Sequence, residues 1–208
     1  VDSAGLLQTA ASGVARENHH VYNGSTWVKE GYLHEPEAAT NLVTYSQDFT
    51  DASWPKSWVT ATLNATGIDG VINSAATLDL ANDTGHIYSV YTVTASTAYN
   101  FSFYIKAGTA TAWVYGFYDD SNNAWLDRNS YDITAGEDVG GGWYRMSFTV
   151  TTPAGCTSLR VYPLRGTGDA GAVAGAVGTS LLYGAQLEAG SVPTSYIPTS
   201  GSTITRAA

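Results

Sequence analysis

A chain of 208 residues with 9 Lys+Arg against 18 Asp+Glu, and hence a net charge of −9, has no basic field to draw in phosphate backbones or acidic membranes, which disfavours nucleic-acid binding. Its apolar runs are a few residues long against the ~20 that span a bilayer, no charged segment leads into an apolar one at the start, and the chain reads as soluble without an export signal. A single cysteine excludes an intrachain disulfide framework, and no Cys/His spacing suits zinc.

Residues 1–40 form a distinct opening stretch. Three of the four histidines lie there, and Tyr22-Asn-Gly-Ser25 is a turn between strand-like runs, which predicts a short hairpin arm that packs on a neighbour or leads out of a preceding domain. The body is expected over 41–198. Tyr99 to Lys106 alternates, with Phe101, Phe103 and Ile105 on one face and Ser102, Tyr104 and Lys106 on the other. Ala112 to Tyr118 is strand-like throughout. Tyr144 to Val150 turns Met146, Phe148 and Val150 inward; Ser158 to Pro163 turns Leu159 and Val161 inward and Arg160 and Tyr162 outward; Ser180 to Glu188 ends the series. Turn clusters such as Asp119-Asp-Ser-Asn-Asn, Gly140-Gly-Gly and Thr152-Pro-Ala-Gly155 separate these runs, Gly166 to Gly178 reads as a long loop, and 199–208 reads as a polar strap or linker. No stretch holds a helical period, while β-branched and aromatic residues abound. The expected fold is therefore all-β, an antiparallel sandwich of jelly-roll type.

Organised catalytic motifs are missing from this pattern. His34-Glu-Pro-Glu37 contains a proline and cannot present a zinc-binding helix face, and no Gly-x-Ser-x-Gly elbow occurs. Asp119 and Asp120 could serve a glycosidase, which needs two carboxylates across the scissile bond, but beside an Asn-rich turn they read as a solvated hairpin tip. Gly166-Thr-Gly-Asp-Ala-Gly171 matches the dinucleotide fingerprint formally, yet the following Ala/Gly run cannot sustain the helix on which that motif depends. Asp48, Asp51, Asp69, Asp79 and Asp83 could contribute oxygens to a structural calcium ion; no other cofactor is expected. The sequons at Asn23, Asn64 and Asn82 read as incidental, and Cys156 as a small buried apolar residue.

Aromatics left outside the core suggest a different chemistry, because sugar rings lay apolar C–H faces on aromatic rings while their hydroxyls pair with polar side chains. If Val114, Gly116 and Tyr118 face inward, Trp113 and Tyr115 lie outside. With Tyr104 and Tyr162 they would make a carbohydrate platform, flanked by Lys106, Arg160 and Arg165 and with Gln186 outward because Leu187 is core. The cations would suit an acidic glycan. Everything in this assignment depends on strand phase, since a slip of one residue turns each ring to the other face. Trp143 and Tyr144 read as a structural corner, and Trp54 and Trp58 as plugs for one end of the sandwich.

Several segments carry a resemblance that covers the body to the end of the chain. They are Thr40-Asn-Leu-Val-Thr-Tyr-Ser-Gln-Asp-Phe49 with Trp54, Phe101-Ser-Phe-Tyr-Ile-Lys-Ala-Gly108, Gly141-Gly-Trp-Tyr-Arg145, Tyr183-Gly-Ala-Gln-Leu-Glu-Ala-Gly-Ser-Val-Pro-Thr-Ser-Tyr-Ile-Pro198, and Thr203-Ile-Thr-Arg-Ala207. In this order and spacing the chain resembles a recurrent carbohydrate-binding, lectin-like domain of bacteriophage tail and head-fibre proteins. The resemblance implies a jelly-roll sandwich related to carbohydrate-binding modules, displayed on a virion within a longer or oligomeric protein. A non-enzymatic fibre or spike module binding host-surface polysaccharide is the expected function. The alternatives are a structural decoration or fibre-attachment protein whose aromatic surface contacts other virion proteins, and, with least support, a polysaccharide lyase or hydrolase. Assembly in a cytoplasm and release by lysis would account for the lack of an export signal.

Overall fold

The computed structural model describes residues 1–8, 16–33, 35, 37–166 and 177–207. Most of the 166–178 loop, with all of the fingerprint-like run after Gly166, lies outside the described residues, as do His34 and Pro36.

The described residues form fifteen strands and one turn of 3-10 helix, Ile133–Ala135. In chain order the strands are β1 Arg16–Tyr22, β2 Trp27–Leu33, β3 Ala39–Asn41, β4 Lys56–Ser57, β5 Val59–Ala65, β6 Ala75–Leu80, β7 His86–Thr92 and β8 Ala98–Ala107. They continue as β9 Trp113–Asp119, β10 Ala124–Tyr131, β11 Glu137–Asp138, β12 Tyr144–Thr151, β13 Ser158–Arg165, β14 Gly178–Ala189 and β15 Ile204–Arg206. Two antiparallel sheets make the body, one of five strands in the order β10-β9-β13-β7-β4 and one of six in the order β11-β12-β8-β14-β6-β5. The chain changes sheet between β4 and β5, β6 and β7, β7 and β8, β8 and β9, β10 and β11, β12 and β13, and β13 and β14. That repeated crossing is the jelly-roll form of the sandwich, and it agrees with the fold expected from the sequence.

The reason for the fold is visible in the core. Phe101, Phe103 and Ile105 of β8, Leu182, Ala185 and Leu187 of β14 and Met146 and Val150 of β12 meet Ile87 of β7, Leu159, Val161 and Leu164 of β13 and Phe117 of β9, with Phe49 and Trp54 from the segment before β4 in the same cluster. β8 and β12 give alternate residues to this layer, the period that makes two-layer burial possible, while β13 and β14 each skip one more residue at a register irregularity. Trp54 is buried in this core, whereas Trp58, expected beside it, is 65% exposed. The difference lies in the backbone, because Trp58 sits at φ +54, a turn conformation that throws its ring away from the adjoining strands.

The opening stretch folds back on the body. Asn23 accepts from the backbone N–H of Ser25 and Thr26, so the turn between β1 and β2 closes as its sequence predicts. Trp27 lies against Gly140, where a Cβ would stand 2.5 Å from the indole, so only glycine admits the ring. Glu35 then ties three distant segments: it sits 2.7 Å from Arg16 and 3.0 Å from Arg206, and accepts from the Ser195 N–H at 2.6 Å. The terminal strap pairs with the start of the body, β15 on β3.

Candidate functional site

The outer face of the five-stranded sheet collects aromatic and cationic side chains from four neighbouring strands. The register sets Trp125 of β10 opposite Tyr118 of β9, which is opposite Arg160 of β13, opposite Val90 of β7. The next row runs Arg128, Gly116, Tyr162, and the third contains Val114, Arg165 and His86. Three strand spacings make this face about 14 Å wide. Trp125 and Val90 are exposed, Tyr88, Tyr118, His86, Arg128 and Arg160 are half-buried, and Tyr162 and Arg165 form the buried floor.

The rings touch in series. Tyr118 meets Trp125 edge-on at 5.0 Å, Trp125 meets Tyr162 at 5.4 Å, and Tyr162 meets Tyr88 at 5.4 Å. Such separations are those at which ring pairs attract beyond their burial. Gly116 makes the centre possible: a Cβ there would lie 2.8 Å from the Trp125 ring and 3.4 Å from that of Tyr162. Guanidinium groups lie over the same rings, Arg128 and Arg165 at 4.8 and 4.7 Å from Trp125, and Arg160 at 4.6 Å from Tyr88 and 5.4 Å from Tyr118.

The electrostatics hold the Arg160 guanidinium charged and the Tyr162 phenol neutral. Burial pushes the Tyr162 hydroxyl up, against the pull of Arg160 and Arg165. Burial also works against the charge on Arg160, but Tyr162 and Asp120 outweigh it and hold that guanidinium above its ordinary value. Asp120 accepts from Arg160 through both oxygens, at 2.5 and 3.2 Å. Its neighbour Asp119 is not part of a solvated tip; it is fully buried and accepts from the N–H groups of Ser121 and Asn122 and from the Asn122 amide, closing the turn. Neither carboxylate is free to act as an acid or base across a bond.

The structure divides the residues singled out from the sequence. Tyr162, Arg160 and Arg165 lie on this face. Trp113 and Tyr115 do not: they point into the core beside Phe117, and the phase of β9 is the reverse of the one expected. With Trp, Val, Tyr, Gly, Phe and Tyr in succession, β9 is apolar on both sides, so alternation alone does not mark an inside. Partners decide. The Trp113 N–H donates to Ser180 Oγ at 2.9 Å, Tyr115 stacks on Phe148 at 3.8 Å, and its hydroxyl donates to Asp127. Burial, reinforced by Asp127, pushes the Tyr115 hydroxyl up to about 12.

Tyr104, Lys106 and Gln186 belong to the opposite sheet. Tyr104 is buried against Tyr183 and Tyr196, with ring centroids 6.1 and 6.2 Å away, under Leu7 and Trp27. Lys106 donates to the Gly141 carbonyl, which fixes the Gly140–Gly142 turn and leaves Trp143 and Tyr144 as the corner expected. Gln186 does point away from the core but is fully covered: it donates to Glu188 at 2.7 Å and accepts from the Ile197 N–H at 2.7 Å. Around it the most distinctive motifs of the sequence lock together. Asn41 donates to the carbonyls of Ala185 and Ile197 and accepts from the N–H groups of Val43 and Leu187. Glu188 accepts from the Thr194 N–H and hydroxyl, and Tyr196 pairs with Ser46. Those motifs hold the chain end to the sheet, and none of these side chains is offered to a ligand.

Trp125, Arg128, Tyr88, His86 and Tyr118 were not in the sequence-derived set. The run His86-Ile-Tyr-Ser-Val-Tyr91 alternates cleanly, with Ile87, Ser89 and Tyr91 buried, so the outward placing of His86 and Tyr88 was available. Trp125 and Arg128 were hidden by a register shift between Trp125 and Asp127, which brings residues three apart onto one face. Three of the aspartates considered for calcium cap turns: Asp48 accepts from the Thr50 N–H, Asp51 from the Ser53 N–H, and Asp69 from the Val71 N–H, while Asp79 lies within β6. Among the described residues no group of three His, Cys, Asp or Glu side chains could hold a metal ion.

No protein-family model and no curated protein matches the chain. Solved structures with a similar arrangement include the enzymatically active domain of bacteriophage CBA120 tailspike protein 4, at 15% identity and a TM-score of 0.48 over 72% of this chain and 21% of that one. The chain thus spans about a fifth of the tailspike structure. The tandem CBM22-1–CBM22-2 domain of Paenibacillus barcinonensis Xyn10C matches at 15% identity and a TM-score of 0.49, over 76% of this chain and 48% of that one. A carbohydrate-binding module of Cellvibrio mixtus lichenase 5A, in complex with cellotriose, matches at 12% identity and a TM-score of 0.38, over 75% and 97%.

Proposed function

We propose that the outer face of the five-stranded sheet is a carbohydrate-binding surface, and that the chain is a non-enzymatic module of a phage-like particle that holds host-surface polysaccharide. The observation that carries this reading is the connected series Tyr118, Trp125, Tyr162 and Tyr88, half-open on one sheet face with polar groups between the rings. Apolar sugar faces fit such rings, and the Tyr162 hydroxyl, accepting from Arg160 at 3.2 Å, keeps its own proton to donate to a sugar oxygen. The carboxylates at hand are already engaged, Asp120 by Arg160 and Asp127 by Tyr115 and Asn129, which speaks for holding over cleaving. A shallow platform gives weak single-site affinity, which display of several copies in an oligomer or multi-chain fibre multiplies. The localisation that follows is the virion, outside the host cell after release. The resemblance to phage fibre domains supports that context. The competing reading, a decoration protein whose aromatic face contacts other virion proteins, drew on the 1–40 arm as a clamp on neighbours; here Trp27 and Glu35 engage the chain's own body.

A glycan array probed with the protein, followed by calorimetric titration of the best ligand, tests the reading. Binding that Trp125→Ala abolishes and Trp58→Ala leaves intact is the expected result. Absence of binding to every host polysaccharide, or binding indifferent to Trp125→Ala, would remove this face as the site.

A further inference from the structure

Arginine is unevenly spread over this molecule. The chain carries only nine Lys+Arg in a net charge of −9, yet Arg128, Arg160 and Arg165 stand together on the outer face of one sheet. They alternate with the rings: Arg128 lies 4.8 Å from Trp125, Trp125 lies 4.7 Å from Arg165, Arg165 lies 5.5 Å from Tyr162, and Arg160 binds the Tyr162 hydroxyl and covers Tyr88.

This stacking has a chemical consequence. A guanidinium laid on a ring loses water from its flat faces, while its N–H donors still point outward in the plane. The same fork that meets carboxylates in two parallel bonds is therefore held stiff and partly desolvated before any ligand arrives, so less freedom is lost on binding. The face contains its own example, because Asp120 occupies Arg160 through both oxygens. Arg128 offers the same edge at the other side of the platform. Among the described residues it has no ion-pair partner, and its neighbour Asp127 is engaged by Tyr115 and Asn129. The remaining titratable groups facing the platform are His86 and the phenols of Tyr88, Tyr118 and Tyr162, of which Tyr162 is held neutral by burial.

Building on the carbohydrate reading, we infer that the ligand is an acidic polysaccharide whose sugar residues carry carboxylates. One carboxylate is seated on the edge of Arg128 while its sugar ring lies against Trp125. A neutral glycan would use the rings and leave the Arg128 edge unmatched.

The test uses the whole chain and three matched probes: oligosaccharides of polygalacturonate, alginate and hyaluronan, each alongside its carboxyl-reduced counterpart, with sulfated and phosphorylated glycans as a further arm. At least one acidic probe is expected to bind, to weaken about tenfold or more on carboxyl reduction, and to weaken about tenfold with Arg128→Gln, while the reduced form is insensitive to that substitution. Arg128→Lys should restore part of the loss, since it returns the charge without the fork. Circular dichroism and melting of both variants check that the surface change leaves the fold intact. Equal binding of acidic and reduced forms, or binding confined to neutral glycans, would overturn the inference and leave the carbohydrate reading standing. Binding confined to sulfated or phosphorylated glycans would overturn the carboxylate assignment. Failure of all glycans to bind would overturn both.

Discussion

The two sheets carry similar residues on their outer faces and treat them in opposite ways. On the six-stranded sheet, Tyr104 and Tyr183 meet Tyr196 of the following segment, with Arg145 lying 5.6 Å over the Tyr104 ring. That group is closed by Leu7 and Trp27 and by the 191–198 segment, to which Arg145 donates at the Thr194 carbonyl. On the five-stranded sheet, Tyr88, Tyr118, Tyr162 and Trp125 with three arginines have no such lid among the described residues, and Trp125 and Val90 stay exposed. Composition therefore does not distinguish a ligand platform from a second core. Coverage does: an aromatic and arginine layer buried by its own chain spends its contacts on stability, and an open one keeps them for a partner.

The largest effects should come from residues inside the protein, whatever their type. Trp113→Ala removes a ring from between the sheets and leaves the Ser180 hydroxyl without its donor, so urea titration should show a loss of about 3–5 kcal/mol. A loss under ~1 kcal/mol would put Trp113 back on the surface and restore the opposite phase of β9. Asn41→Ala should follow, at about 3 kcal/mol, because two backbone N–H groups and two carbonyls around the β14 irregularity lose their partner. Its melting should also free the chain end, seen as faster proteolysis at Arg206, if the covered face is closed in the way described.

The contrast between the faces was only partly legible in the residues. Alternation gave the sandwich, and it placed Phe101, Phe103, Ile105, Leu159, Val161, Met146 and Val150 inside, because those strands have one apolar and one polar side. It failed on β9, where both sides are apolar and only contact with the facing sheet tells Trp113 from Val114. It also failed across the β10 irregularity, since a bulge resets the period and no local residue type announced it. Gln186 shows a third limit. Its direction was read correctly, but whether an outward side chain meets water depends on Ile197, eleven residues further along, returning over it. Strand phase is local information, whereas coverage is set by long-range packing.

A middle-sized effect should come from the open face and appear in binding. Trp125→Ala should cost about tenfold or more in glycan affinity with less than ~1 kcal/mol in stability, since the ring is exposed. Gly116→Ala sharpens the point: its methyl would meet Trp125 at 2.8 Å and must push the ring aside, so affinity should fall while every ligand-facing side chain remains present. Unchanged affinity in Gly116→Ala would mean the spacing of Trp125 and Tyr162 is irrelevant to the ligand.

The smallest effect should come from the seal of the covered face, and it should depend on pH. Burial opposes ionisation of Glu35, but the Ser195 N–H and hydroxyl, with Arg206 and Arg16, outweigh it and hold the carboxyl below its ordinary value. A carboxyl lowered in this way stabilises the fold above its unfolded value of about 4.3, and the contribution disappears as the pH falls through the folded value. Glu35→Gln should therefore melt below the wild type at pH 7 by an amount corresponding to about 1 kcal/mol or less, as for a partly exposed ion pair. The gap should narrow as the pH falls below the unfolded value of about 4.3 and close once it passes the lowered value of the folded carboxyl, where the wild type is protonated as well. A gap that stayed constant from pH 7 to about 3 would assign Glu35 a packing role rather than an electrostatic one. Glycan affinity at neutral pH should be untouched by the substitution, since the seal and the platform lie on opposite sides of the sandwich.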